Sequence, residues 1–508
     1  MSRRTADRIA WAVVAAAFVA SRVLYRIVLG LELDATTLTE FWQYLDVAVL
    51  AADPLFSLFY QHTQPPLFGA ILAAALQTPD PPLALGALLV ACGAVLHLAL
   101  YGLARALGVR RAIAVPLALL WALNPAPHLY ETWVFYTYPV AALLMAGAWV
   151  LHRGLERRSA RWIGGALLLL AAVCLMRSLF HLVWLGLVVG ALLALVRNRR
   201  GVALAAVLPL LLAASVYVKN GLLFDRPVAS TWLGMSLSRL TTVHAPPEVK
   251  RRLLAEGRVT PLVRTLPWLA LGYYPAAYRE LPAGLPDHPV LTARRRSGGR
   301  PNLNHGAYLR IADDFLADAR VLMREHPETY RYQSWLAWNF YVLPCHDYSF
   351  FARRRPPIRP IEQVYEAAMG WCGQTAWTFG TELPPLPERG CWRWLRLCLL
   401  VLAVALLAGL WRRRDPRGQT VLYLVGTVAF VAAVGNQLEV GENNRFRFLT
   451  EAYVWVLFAF VLELGLRLGG RAVAVIGAAS ARARRGPGRS AGAVGPPAGR
   501  AAPAGRRP

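Results

Sequence analysis

The stretch LALGALLVACGAVLHLALYGLARALGVRRAIAVPLALLWALNPAPH, residues 83–128, decides the fold class. It holds two apolar runs, 83–107 and 112–128, and Arg105, Arg110 and Arg111 stand at their joint. A helix needs about 20 apolar residues to cross the hydrocarbon core of a bilayer. Inside that core only a helix or a closed barrel satisfies the backbone hydrogen bonds. A basic joint between two such runs marks the cytoplasmic side, where Lys and Arg are retained.

The same alternation continues in both directions. Further apolar runs fall at 9–29, 133–151, 162–176, 178–196, 202–218, 393–411, 419–436 and 447–468, which brings the total to ten. Basic clusters stand at Arg3, Arg4 and Arg8, at Arg153, Arg157, Arg158 and Arg161, at Arg197, Arg199 and Arg200, and at Arg412, Arg413, Arg414 and Arg417. All of them fall on alternate connections. The pattern predicts an all-α integral membrane protein with ten spans and both termini in the cytoplasm. The first run is too long for a signal-peptide core and no small-residue cleavage site follows, so it reads as an uncleaved first helix. A shorter apolar piece at 66–77, behind Pro65 and Pro66, reads as a helix lying in the membrane interface.

Composition agrees with this class. The 508 residues are 56% hydrophobic and 17% charged, with a mean hydropathy of +0.39. A soluble chain of this length needs more charge to cover its surface. The net charge of +26 raises nucleic acid as a partner, but the Arg residues sit between apolar runs and in the tail, as topology signals do. No nucleic acid is expected. Cys92, Cys174 and Cys398 lie in or beside apolar runs. Cys345, Cys372 and Cys391 lie in the long outer segment, where one disulfide would leave one thiol over and the sequence does not choose the pair. No Cys or His spacing fits a zinc site, and Walker A, Rossmann and HExxH patterns are missing. A nucleotide-driven pump, a metalloprotease and a nucleotide-sugar site are therefore set aside.

Four parts follow. Residues 1–218 form an N-terminal membrane module whose first outer loop is 30–82. Residues 219–392 form an extracytoplasmic domain, mostly helical, as the three- and four-residue apolar spacing in NHGAYLRIADDFLADARVLMREHPETYRYQSWLAW (304–338) implies. Residues 393–468 carry three spans. Residues 469–508, rich in Gly, Ala, Pro and Arg, read as a disordered basic tail that touches anionic lipid heads at most.

The candidate chemistry faces outward. The loop GLELDATTLTEFWQYLDVAVLAADPLFSLFYQHTQPPLFG (30–69) holds Glu32, Asp34, Glu40, Asp46 and Asp53 directly after the first span. A carboxylate just outside the bilayer can take a proton from an acceptor hydroxyl while a sugar leaves its phosphate carrier. A solvated loop is the plainer reading of any one of them. His62 and Gln64 share a cavity with these groups if Pro65 and Pro66 open the next helix. Arg445 and Arg447 stand directly before the last span, on the outer side and against the positive-inside bias. A guanidinium fork suits a lipid phosphate there, and Lys219, with Asn220 beside it at the outer end of the seventh run, adds a point charge. Snorkelling to the interface competes with that role, and it competes equally at Arg22 and Arg26. Arg177 says little by its position. His128, Tyr130 and Glu131 read as a polar turn. Asn302, Asn304, His305, Asp313 and Asp314 divide between acceptor binding and helix capping.

The order of one span, an acidic outer loop and a His62-Thr63-Gln64-Pro65-Pro66-Leu67 turn resembles the GT-C superfamily of polytopic glycosyltransferases. That superfamily includes protein O-mannosyltransferases and the aminoarabinose transferase of lipid A. The adjacent Asp-Glu pair common in those families is absent here. The resemblance implies a GT-C-type helical bundle and transfer of a sugar from a polyprenyl-phosphate donor to an envelope glycan, lipid or protein. It implies Asp34 as catalytic base, by its distance from the first span, with Asp46 second. Arg445, Arg447 and Lys219 would hold the lipid phosphate, with Asn220 beside them, and His62 and Gln64 would shape the sugar pocket. Some members use a divalent metal and others do not, so no cofactor is assigned. A transporter or flippase of lipid-linked sugars and a non-catalytic membrane scaffold are the rival classes.

Overall fold

A computed structural model describes residues 2–41, 43–369 and 389–484. Among them the regular structure is all helical, with two isolated bridges, Asp34 with Trp133 and Arg295 with Pro301. A helix or bent helix pair stands at each of the ten apolar runs. Several start on side-chain caps that satisfy first-turn N–H groups. Asp80 caps Pro81–Ala106, Asn198 caps Arg199–Phe224 and Asp415 caps Pro416–Leu438.

Among the described residues six helices are long and apolar enough to cross a membrane: Arg4–Val28, Pro81–Ala106, Arg199–Phe224, Arg393–Trp411, Pro416–Leu438 and Asn443–Ala474. A seventh follows if Arg111–Leu123 and Pro125–Glu131 count as one span, bent by 53° at Asn124. The remaining helices differ from the expected ten crossings for physical reasons. Ala160–Met176 has 17 residues and Leu182–Leu195 has 14, so at 1.5 Å per residue they reach about 26 and 21 Å against a core near 30 Å. Thr137–Arg157 carries Tyr138, His152 and Arg153 near its ends, which shortens its apolar stretch. It packs on Pro81–Ala106, Ala160–Met176 and Pro416–Leu438, and most of its length is buried. Helices buried by other helices need not match lipid thickness.

The helix Leu67–Leu76 opens behind Pro66 as expected, but it buries Phe68, Leu72, Ala73 and Ala75 against its neighbours. The exposed apolar face of the first loop belongs instead to Pro54–Phe59, through Leu55, Phe56 and Phe59. The last helix runs Asn443–Arg484, past the expected boundary at 468. The Ala-rich sequence there favours helix, and the first proline comes at 487. Cys345 is a free, buried thiol. Cys372 and the side chain of Cys391 lie outside the described residues.

The first helix, Arg3–Arg22, ends in a π-helical turn, Val23–Val28. That turn and the bent pair are joined by charge. Glu131, fully buried, takes Arg22 at 2.6 Å, Arg26 at 3.2 Å and the Tyr138 hydroxyl at 3.0 Å. Gly93 makes room, since a Cβ there would lie 2.2 Å from Glu131 Oε2. Glu131 is therefore a fold residue rather than a stray polar turn. It leads into Thr132, whose carbonyl accepts from Asp34 N at 2.8 Å.

In the outer segment Ala307–Glu325 packs on Leu233–Leu240, around Met235, Tyr274, Tyr308 and Phe315. The contact is backbone-close: a Cβ on Gly234 would sit 1.9 Å from the Ala312 carbonyl oxygen. A second cluster, with Leu237, Leu336, Phe340 and Val440, joins this segment to the turn before the last helix.

Removing one partner of a buried ion pair leaves the other charge uncompensated, at a cost of about 3–5 kcal/mol. Glu131→Ala strands two guanidinium groups and is expected to lower the thermal unfolding midpoint of the detergent-solubilised protein sharply. An unchanged midpoint would remove the triad from the fold's essential contacts.

Candidate functional site

Three arginines from three parts of the chain converge on one cavity of 440 Å³. Arg177 follows directly on Ala160–Met176 in an extended conformation, which turns its side chain off the helix axis. Arg239 comes from Leu233–Leu240 of the outer segment. Arg445 sits in the first turn of the last helix. Gln43 and Gln64 reach the same cavity from the first outer loop. Its apolar wall includes Leu179, Leu182, Tyr217, Trp232, Leu233 and Trp268.

Two carboxylates also line the cavity. Glu439 pairs with Arg239 at 2.9 Å, and Glu442 pairs with Arg445. Arg177 makes no carboxylate pair among the described residues. Its Nη1 donates to the Tyr136 hydroxyl, and its guanidinium lies over the Tyr136 and Phe446 rings. Arg445 Nη1 donates to the same hydroxyl at 3.2 Å, and its buried Nε has no hydrogen-bond partner among the described residues. Three guanidinium groups against two carboxylates leave one positive charge in the cavity. Burial works to raise both carboxyls. At Glu442 it is outweighed by Arg445, Arg239 and Arg177, which hold that carboxyl below its usual range. At Glu439 burial prevails over Arg239 and the carboxyl is pushed up.

A second, more apolar cavity of 230 Å³ lies between the same two helices that flank the first. Leu182, Val183, Gly435 and Leu438 line the charged cavity. Further along the same helices Leu187, Leu192, Leu422 and Phe430 line the apolar one. The two volumes thus follow one seam between Leu182–Leu195 and Pro416–Leu438.

Of the residues singled out in the sequence, Arg445 and Gln64 line the charged cavity. The others do not. His62 is fully buried, with Nδ1 2.8 Å from Thr231 Oγ1 and Nε2 2.9 Å from the Asn304 carbonyl. It clips the first loop to the outer segment. Lys219 Nζ donates to the Gln61 carbonyl, and Asn220 Nδ2 donates to the Val228 carbonyl at 2.7 Å. Arg447 is spent on Glu451 at 3.1 Å, the Cys345 sulfur at 3.2 Å and the Tyr341 carbonyl at 3.1 Å.

The two acidic candidates separate. Asp46 caps Val47–Ala52, and its carboxylate also accepts from the backbone and hydroxyl of Ser297, both at 2.6 Å. Both of its oxygens are therefore engaged. Asp34 accepts from Thr36 N and Oγ1 on Oδ1 alone, and Oδ2 takes no hydrogen bond from the described residues. Asp34 stands beside Trp133, outside the cavity lining. Arg177, which the sequence reading named without giving it a role, lines the cavity, as do Arg239, Glu439, Glu442 and Gln43, which it passed over. Arg177 carried the same signal as Arg445, a positive charge in an outer turn. Among the described residues no group of three or more His, Cys, Asp or Glu is placed to hold a metal ion.

No family model matches the chain, and no curated protein does. Three solved structures are similar to it, all of the oligosaccharyltransferase of Archaeoglobus fulgidus. With the apo form it shares 12% identity over 92% of this chain and 52% of that one, at a TM-score of 0.39. With AglB in complex with an inhibitory peptide and a dolichol-phosphate the values are 11%, 91%, 51% and 0.39. With the form tethered to an acceptor peptide containing the NVT sequon they are 11%, 89%, 49% and 0.37. The chain spans about half the length of these proteins.

Burial takes the His62 ring from its ordinary 6.5 down to about 3. The unfolded ring takes up a proton below about 6.5 that the folded ring refuses until about 3, so stability falls as pH drops through that window. His62→Gln should flatten the decline of the thermal midpoint between those values. Parallel curves for the two proteins would assign the acid sensitivity elsewhere.

Proposed function

We propose that the chain is a glycosyltransferase that moves a sugar from a polyprenyl-phosphate donor to an envelope glycan, lipid or protein. The reaction would take place on the extracytoplasmic face of a bacterial cytoplasmic membrane, with both termini inside. One observation carries the reading: a net-positive cavity of three guanidinium groups opens beside an apolar seam between the helices Leu182–Leu195 and Pro416–Leu438. A lipid phosphate has those two needs, anion-holding forks for its head and an apolar path for its chain. The volume sits near the small end of ligand pockets, which run about 300–1,000 Å³, and favours a single sugar over a branched glycan.

In this reading Arg177, Arg239 and Arg445 hold the phosphate, and Trp232 and Trp268 offer ring faces to the sugar. The acceptor hydroxyl attacks the anomeric carbon as the bond from that carbon to the phosphate oxygen breaks. Asp34 takes the hydroxyl proton on its open oxygen. The charge that grows on the departing lipid phosphate falls to the arginines, which are preorganised and already out of water. Asp46, with both oxygens engaged, has the smaller claim to the role of base.

The test is sugar transfer from a radiolabelled polyprenyl-phosphate sugar in proteoliposomes. Arg445→Gln should lower the rate roughly 10²–10³-fold, and Asp34→Asn roughly 10²–10⁴-fold. Full activity in Asp34→Asn would remove it as base. Movement of the labelled lipid between leaflets without transfer would replace the enzyme with a transporter.

A further inference from the structure

Tyr136 stands immediately before the central helix Thr137–Arg157 and is buried. Its hydroxyl has one proton to give and two lone pairs to offer, and all three are used. It donates to Gln43 Oε1 at 2.8 Å and accepts from Arg445 Nη1 at 3.2 Å and from Arg177 Nη1. Its ring lies under both guanidinium groups, 5.0 Å from that of Arg177 and 5.7 Å from that of Arg445. Two cations that would repel each other are thus tied to one oxygen atom. Two forks bonded to one oxygen stand close enough to grip one phosphate together.

The same short segment registers the first outer loop. The Thr132 carbonyl accepts from Asp34 N at 2.8 Å. The Val134 carbonyl accepts from Thr37 Oγ1 at 3.3 Å and from the Tyr44 hydroxyl. Gln43, on that loop, takes the Tyr136 proton. Residues 132–136 therefore hold the Asp34 loop at one end and the arginine pair at the other.

We infer that Tyr136 is a positioning residue, which sets Arg177 and Arg445 as a single two-fork anion clamp at a fixed distance from the Asp34 loop. The inference rests on the phosphate-binding role proposed above for this cavity. It extends that role by naming the group that makes two arginines act on one ligand.

Tyr136→Phe keeps the ring and removes the shared oxygen. The probe is dodecyl phosphate, a simple lipid monophosphate, titrated against the purified full chain in detergent. Loss of a hydrogen bond to charged groups is expected to weaken its Kd roughly tenfold or more. In the transfer assay donor KM should rise by a similar factor, with kcat reduced less. A purely structural role would lower the thermal midpoint and leave the Kd of the folded protein unchanged. Wild-type dodecyl phosphate binding by Tyr136→Phe overturns the inference. Wild-type binding by both Arg177→Gln and Arg445→Gln overturns the phosphate reading and the inference with it. If those variants lose binding while Tyr136→Phe keeps it, the inference alone falls. Should Tyr136→Phe not accumulate in membranes, Gln43→Leu tests the same oxygen from its acceptor side: weaker binding is expected, and unchanged binding overturns the clamp.

Discussion

Taking a guanidinium out of water costs several kcal/mol unless a counter-charge and further hydrogen bonds replace its hydration. That constraint governs the region around the charged cavity. Arg445, Arg447 and Arg177 are buried there, each with its own compensation. Glu442 and a phenol serve Arg445, Glu451 and a thiol serve Arg447, and a phenol with two aromatic rings serves Arg177. At the cavity positive charge remains in excess of carboxylate. A buried excess of that kind is kept for an anion, or it is a standing cost to the fold.

The bundle is arranged to bring these groups together from distant parts of the chain. The central helix Thr137–Arg157 packs on Pro81–Ala106, Ala160–Met176 and Pro416–Leu438 and is preceded by the segment that holds the first loop. The Glu131 triad ties that segment to the end of the first helix. His62 and Asp46 tie the loop to the outer segment, through Asn304, Thr231 and Ser297. The polar residues that look most chemical in the loop are in large part its fastenings. A fastening and a catalytic group draw on the same residue types, because both need directional hydrogen bonds in a place with little water.

This explains what was legible. Apolar length located the helix or bent helix pair at each of the ten apolar runs, and three- and four-residue apolar spacing pointed to Ala307–Glu325, since both signals are local in sequence. Arg445 drew notice in the sequence because a positive charge at its position runs against the expected topological bias. Arg177 bore the same mark and was given no role, because a single charged residue in a short turn does not tell where its side chain points. Asp34 and Asp46 could not be ranked from sequence. Their difference lies in Ser297, about 250 residues away from Asp46, which uses up both of its oxygens.

By itself the sequence determined the class, an all-helical protein with helices apolar enough to cross a membrane, an acidic loop after its first helix and positive charge at the start of its last one. These follow from composition and spacing, which act over tens of residues. Tertiary structure decided which charges face a cavity and which are neutralised. It also decided that one phenol oxygen should join two arginines some 270 residues apart in the chain. Such pairings depend on which helix faces pack together, and that is set by the whole bundle rather than by any stretch of it.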